Sequence, residues 1–111
     1  MAMAIARRYE IYLPSTYNDG RAIERRKFKQ TRAELLAQFG GLTRMPLEMA
    51  TALRGEWMTG KQLYEDRIAT YVIYSLDINA ADAFMRPYKE KLKRRFRQLE
   101  ILLVAQLVEL F

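Results

Sequence analysis

The clearest alternation in the chain runs over residues 8–13. Tyr9, Ile11 and Leu13 would point one way and Arg8, Glu10 and Tyr12 the other, the period-two pattern of a half-buried strand. Pro14 has no N–H to give to a ladder and closes it. In the STYNDGRA stretch that follows, Asn18, Asp19 and Gly20 carry turn chemistry. Short polar side chains bond the local backbone there, and glycine accepts a positive φ.

Helical spacing then takes over. Phe28, Leu35, Leu36 and Phe39 share one face of a helix over residues 23–38, with Arg25, Arg26, Lys27, Lys29 and Arg32 crowding the other; Gly40-Gly41 supplies a left-handed stop. Residues 42–45 could begin a second strand, but Pro46 interrupts it, and residues 47–53 are an apolar connection of weak pattern. Arg54-Gly55-Glu56-Trp57-Met58 resumes as strand, and Thr59-Gly60-Lys61 signals a turn. RIATYVIYSL, residues 67–76, is β-branched and aromatic on both faces and reads as a central strand covered on both sides.

A second helix is expected over residues 79–99. Phe84, Tyr88, Leu92 and Phe96 recur every four positions, Asp77 or Asn79 suits the N-cap, and Asp82 in the first turn suits the helix dipole. Pro87 is awkward in a helix interior, so either the helix kinks there or its regular part begins near Phe84. Residues 100–111 are apolar at nearly every position. Leu99, Leu102, Leu103, Leu107 and Leu110 would also fit a helix face, but the order of elements favours a strand.

The resulting order, βαββαβ, resembles the ferredoxin-like fold: an α+β domain with a four-stranded antiparallel sheet and two helices on one face. The succession YEIYLP, NDG, FGGLT and RGEW is similar to a family of small bacterial proteins from which no activity carries over. The resemblance implies an edge position for the last strand and an open sheet face. Tyr12, Tyr71, Ile73, Trp57 and the apolar tail offer more strand surface than two helices hide, so a homodimer through that face or the tail strand is expected, with another protein as the alternative partner.

Composition narrows the chemistry. A chain of 111 residues, half of them apolar, suits one domain over residues 1–111. Without cysteine or histidine it lacks thiolate and imidazole nucleophiles, bases and metal ligands, so any catalysis would fall to carboxylates, Lys, Tyr or Arg. A non-catalytic protein without cofactor or metal is the expectation. The opening MAMAIARRYE lacks a signal peptide's apolar core, and residues 101–108 are too few for the roughly 20 needed to span a bilayer, so a cytoplasmic protein that does not enter membranes is expected.

The net charge of +6 adds a second class of function. Seven of the twelve residues from 86 to 97 are Lys or Arg. Arg25, Arg26, Lys29, Lys89, Lys93, Arg94 and Arg97 form a candidate polyanion-binding surface, for nucleic acid above all; the plainer reading is a solvated outer face. RNA-recognition domains share the topology, but RIATYVIYSL lacks their glycine-aromatic signature. Small ferredoxin-like nucleases of the Cas2 group place a metal-binding carboxylate after the first strand, where Asp19 is the nearest acid and turn formation already explains it. A last candidate is a polar pocket formed by Tyr17, Asn18, Asp19, Arg54, Glu56 and Trp57, weighed against a bulged strand with an Arg-Glu surface pair and a core Trp.

Overall fold

A computed structural model describes residues 4–41, 43–44 and 68–111. In chain order these form β1 (Ala4–Pro14), α1 (Arg25–Phe39), β2 (Thr43–Arg44), β3 (Ile68–Ser75), α2 (Ile78–Arg95) and β4 (Leu102–Leu110). The expected strand at 54–58 and the connection at 47–53 lie outside the described residues.

The strand order is β2, β3, β1, β4, all pairs antiparallel. β1 holds the middle, with Ile11 opposite Tyr71 on one flank and opposite Leu103 on the other. The expected four-stranded ferredoxin-like sheet is corrected here. Among the described residues three strands of eight to eleven residues make up the sheet, and beyond β3 only Thr43 and Arg44 pair, opposite Val72 and Tyr71, too short a stretch to form a fourth full strand. β3, read from sequence as the central strand, therefore has a full-length neighbour on one flank only among the described residues. The α+β class holds.

Both helices lie over the same side of β1 and β3, where Tyr9, Ile11, Leu13, Tyr71 and Ile73 meet Leu35, Met85, Tyr88, Leu92 and Phe96 in one core. The helices run antiparallel, Phe28 edge-on to Phe96 at 5.1 Å and Phe39 to Phe84 at 5.4 Å. Tyr71 and Ile73 thus do not belong to an open face; the register opposite Ile11 and Tyr9 turns them inward. Thr70 and Val72 on the other face are buried as well but Tyr74 on that face is exposed, so the two-sided cover expected for β3 holds over only part of the strand.

Local signals explain the helix ends. Gly40 adopts φ 77° and donates its N–H to the Leu36 carbonyl at 2.8 Å, closing α1. Asp77 caps α2 by accepting from the Ala80 N–H at 3.1 Å. Pro87 lies inside α2, whose regular part begins at Ile78 and not near Phe84. The helix stops at Arg95, short of the expected Leu99, because Arg97 takes the left-handed φ of 53° that turns the chain toward β4. No helix among the described residues is long and apolar enough to cross a membrane.

Candidate functional site

Three polar constellations and one bare strand edge are candidates. The first surrounds Tyr17. Its ring is buried and overlaid by three cations, with Lys27 Nζ, the Arg97 guanidinium and the Arg21 guanidinium 4.9, 5.2 and 5.3 Å from the ring centre. Its hydroxyl donates to Glu24 at 2.6 Å and accepts from Lys27 Nζ at 2.6 Å. The Tyr17 hydrogen bond pulls the Glu24 carboxyl down to about 2, with Lys27 acting in the same sense. Asn18 and Asp19 instead face solvent. Asp19 accepts from the Arg21 backbone N–H at 3.0 Å and from Arg21 Nε at 2.7 Å, contacts that hold its carboxyl below the usual range. Tyr17 is therefore a core residue, apart from its exposed neighbours. Arg54, Glu56 and Trp57, the other half of the expected pocket, lie outside the described residues.

The second constellation is the seam between the helices. Arg95 donates to Thr31 Oγ1 at 2.7 Å and to Glu34 Oε2 at 2.8 Å, and the Tyr88 hydroxyl donates to Glu34 Oε1 at 2.8 Å. Partial burial would raise the Glu34 carboxyl, but Arg95 and Tyr88 outweigh it and hold it low. This network fastens α1 to α2. It consumes cations that would otherwise face outward.

Of the residues expected on a polyanion surface, Arg25, Arg26 and Lys29 line the exposed start of α1, and Arg94 and Arg97 the exposed end of α2. The antiparallel packing brings those two ends together. Lys89 pairs with Glu100 at 3.0 Å, and Lys93 with Glu90 at 3.4 Å and with Glu100 at 4.0 Å, so these two are partly neutralised. The start of α1 has no acidic residue in its first turn and no side-chain cap, so its positive dipole end coincides with Arg25 and Arg26.

The third constellation escaped the sequence reading. A cleft of about 330 Å³ opens between α2 and the β1–β4 half of the sheet, lined by Arg7, Tyr9, Asp82, Met85, Arg86, Lys89, Leu103 and Ala105. Arg7 grips Asp82 with two nitrogens, Nε to Oδ1 at 3.2 Å and Nη2 to Oδ2 at 2.8 Å, and the Tyr9 hydroxyl donates to the same carboxylate. The Arg7 hydrogen bond, then Tyr9, keeps Asp82 ionised below the ordinary range. Burial, then Asp82, pushes Tyr9 up to about 12. One signal was available: Asp82, Arg86 and Lys89 are spaced to share a helix face. Their partner Arg7 lies 75 positions from Asp82, beyond any local pattern.

The strand edge belongs to β4. It ends the sheet, and no strand lies on its outer flank among the described residues. Leu102 is 46% exposed, Leu107 61% and Phe111, just past the strand, 82%, while Glu109 is its one charged residue. On the open face of β1, by contrast, polar groups are knitted together. Arg8 bonds Glu10, Tyr74 and Gln106, and Tyr12 donates to Glu10. Burial would raise the Glu10 carboxyl, but the bonds from Tyr12 and Arg8 hold it low.

Comparison with protein-family models, curated proteins and solved structures finds no match. Geometry alone must then carry the function. Among the described residues no group of three or more acidic, His or Cys side chains could hold a metal ion.

Proposed function

We propose that this is a non-catalytic self-association module of the cytoplasm, whose β4 pairs with β4 of a second copy to make one continuous sheet. The observation that carries this reading is the outer flank of β4: nine residues long, at the end of the sheet, apolar and nearly uncharged. An edge of this kind is ordinarily blunted by charge, proline or brevity, and β4 has none of these devices beyond Glu109. Antiparallel pairing about Gln106 sets Leu102 against Leu110, Val104 against Val108 and Ala105 against Leu107, so apolar side chains meet on both faces. A second copy is favoured over a charged partner because the positive helices of a molecule with net charge +6 would stay away from this seam.

Light scattering at 200 μM tests the proposal. The expected mass is twice 13.1 kDa, falling to the monomer for the double variant Val104→Lys, Leu107→Lys. A monomeric parent overturns self-association. A dimer that survives the double variant overturns the β4 edge.

The exposed arginines where α1 begins and α2 ends favour a second reading, sequence-independent binding of nucleic acid. A labelled 20-base single strand would then be retarded at 20 mM salt and released at 200 mM, and Arg26→Glu with Arg94→Glu would abolish retardation. No retardation at 20 mM salt removes this reading.

A further inference from the structure

We propose that the cleft between α2 and the sheet binds a small organic anion, its carboxylate or phosphate head held by Arg86 with Arg7 and its apolar body lying on Met85, Leu103 and Ala105. The inference is independent of strand pairing and goes beyond it. Around the cleft stand three cations and one carboxylate, Asp82, whose charge Arg7 already balances. Lys89 leans outward to Glu100, and Arg86, exposed at the rim of the cleft, acts on Asp82 through space without forming an ion pair among the described residues. Two cations, Arg7 and Arg86, beside the one carboxylate leave the cleft a positive excess. Arg7 is pre-oriented: Nε and Nη2 are fixed on Asp82, and Tyr9 braces the same carboxylate. A guanidinium fixed this way loses little freedom on meeting a ligand.

The other wall selects for an apolar body. Met85, Leu103, Ala105 and the Tyr9 ring offer no charge, and a volume of about 330 Å³ lies at the small end of ligand cavities. A bare inorganic anion would leave that wall wet. A carboxylate or phosphate monoester on a short aliphatic or aromatic group satisfies both walls, and the chemistry shared by the two is a single anionic head on an apolar stem.

The test is a titration of ¹⁵N-labelled full chain followed by backbone amide shifts, with benzoate and phenyl phosphate as probes and inorganic phosphate and benzyl alcohol as controls. Both probes should move the amides of Met85, Arg86, Leu103 and Ala105 along one saturating curve. Each control should bind at least tenfold more weakly. Arg86→Glu should weaken the probes at least tenfold, and Ala105→Phe, which fills the cleft, should do the same without touching charge. Lys29→Glu makes the same charge change away from the cleft and should leave binding unaltered. Equal binding of inorganic phosphate, or equal loss in Lys29→Glu, would show a general pull on anions and overturn the site. Shifts that miss these four amides would overturn it too. Arg86 is exposed, so an unchanged melting curve for Arg86→Glu keeps the result separate from folding.

Discussion

β1 and β4 lie side by side for nine paired positions, from Ala4 opposite Leu110 to Tyr12 opposite Leu102, yet they live in different surroundings. β1 has a strand on each flank and helices above it, and Tyr9, Ile11 and Leu13 are sealed. β4 has a strand on one flank only among the described residues, and its near end meets the core, where Ile101 is buried and Leu103 packs partly. The two also differ on the open face. There β1 carries Arg8 and Glu10, bonded to each other, where β4 carries Leu102, Val104, Val108 and Leu110 around Gln106. Burial follows position in the sheet more than hydrophobicity. β4 carries more apolar surface than its neighbours among the described residues cover, which is the ground of the pairing proposed above.

The largest effect should come from β1. Ile11→Ala removes a side chain with no exposure and should cost about 2–5 kcal/mol in chemical denaturation. A loss below about 1 kcal/mol would mean that β1 is not the packed centre.

The alternation behind that prediction was readable in the chain, since Tyr9, Ile11 and Leu13 repeat every second residue. So were the left-handed stop at Gly40 and the cap at Asp77, because these depend on neighbours in sequence. The inward turn of Tyr71 and Ile73 was not readable. Which face of β3 meets the helices is set by its register on β1, and a strand with apolar residues on both faces does not encode register. The Arg7–Asp82–Tyr9 group was hidden for a similar reason: it joins the first strand to the second helix, and spacing along the chain says nothing about contacts so distant. The four-stranded sheet was an extrapolation from element order, and order does not say how many residues of a segment pair.

A pH series sharpens the comparison, because β1 carries tied ionisable groups and β4 does not. Asp82 and Glu10 have folded values below their unfolded ones, so the stability they add is present above about pH 4 and lost as pH falls through the folded values. Tyr9 and Tyr12 are raised to about 12, so what they add is present below about pH 10 and lost between there and pH 12. Asp82→Asn should make the acid limb shallower and Tyr9→Phe the alkaline one, with Glu10, Glu24 and Glu34 still shaping the first and Tyr12 and Tyr88 the second. Denaturant midpoints taken from pH 2 to 12 check both limbs.

Smallest of all should be Leu107→Ala at low micromolar concentration, within about 0.5 kcal/mol of the parent, as for an exposed side chain. Raising the concentration a hundredfold should open the gap, because the parent gains stability from pairing by mass action and the variant gains less. A gap that ignores concentration would remove the distinction between the strands.

The place of β1 in the sheet also sets the order in which the molecule can be built. β1 is synthesised before both of its partners and pairs Pro14 with Ile68 and Ala4 with Leu110, so those partners come from far along the chain. Such distant pairing gives a high contact order, and the sheet closes late and slowly compared with its helices. Until then β1 has both flanks bare, and Arg7, Arg8 and Glu10 set charge inside an otherwise apolar strand, the placement by which charged residues hold an unpaired strand apart from its copies.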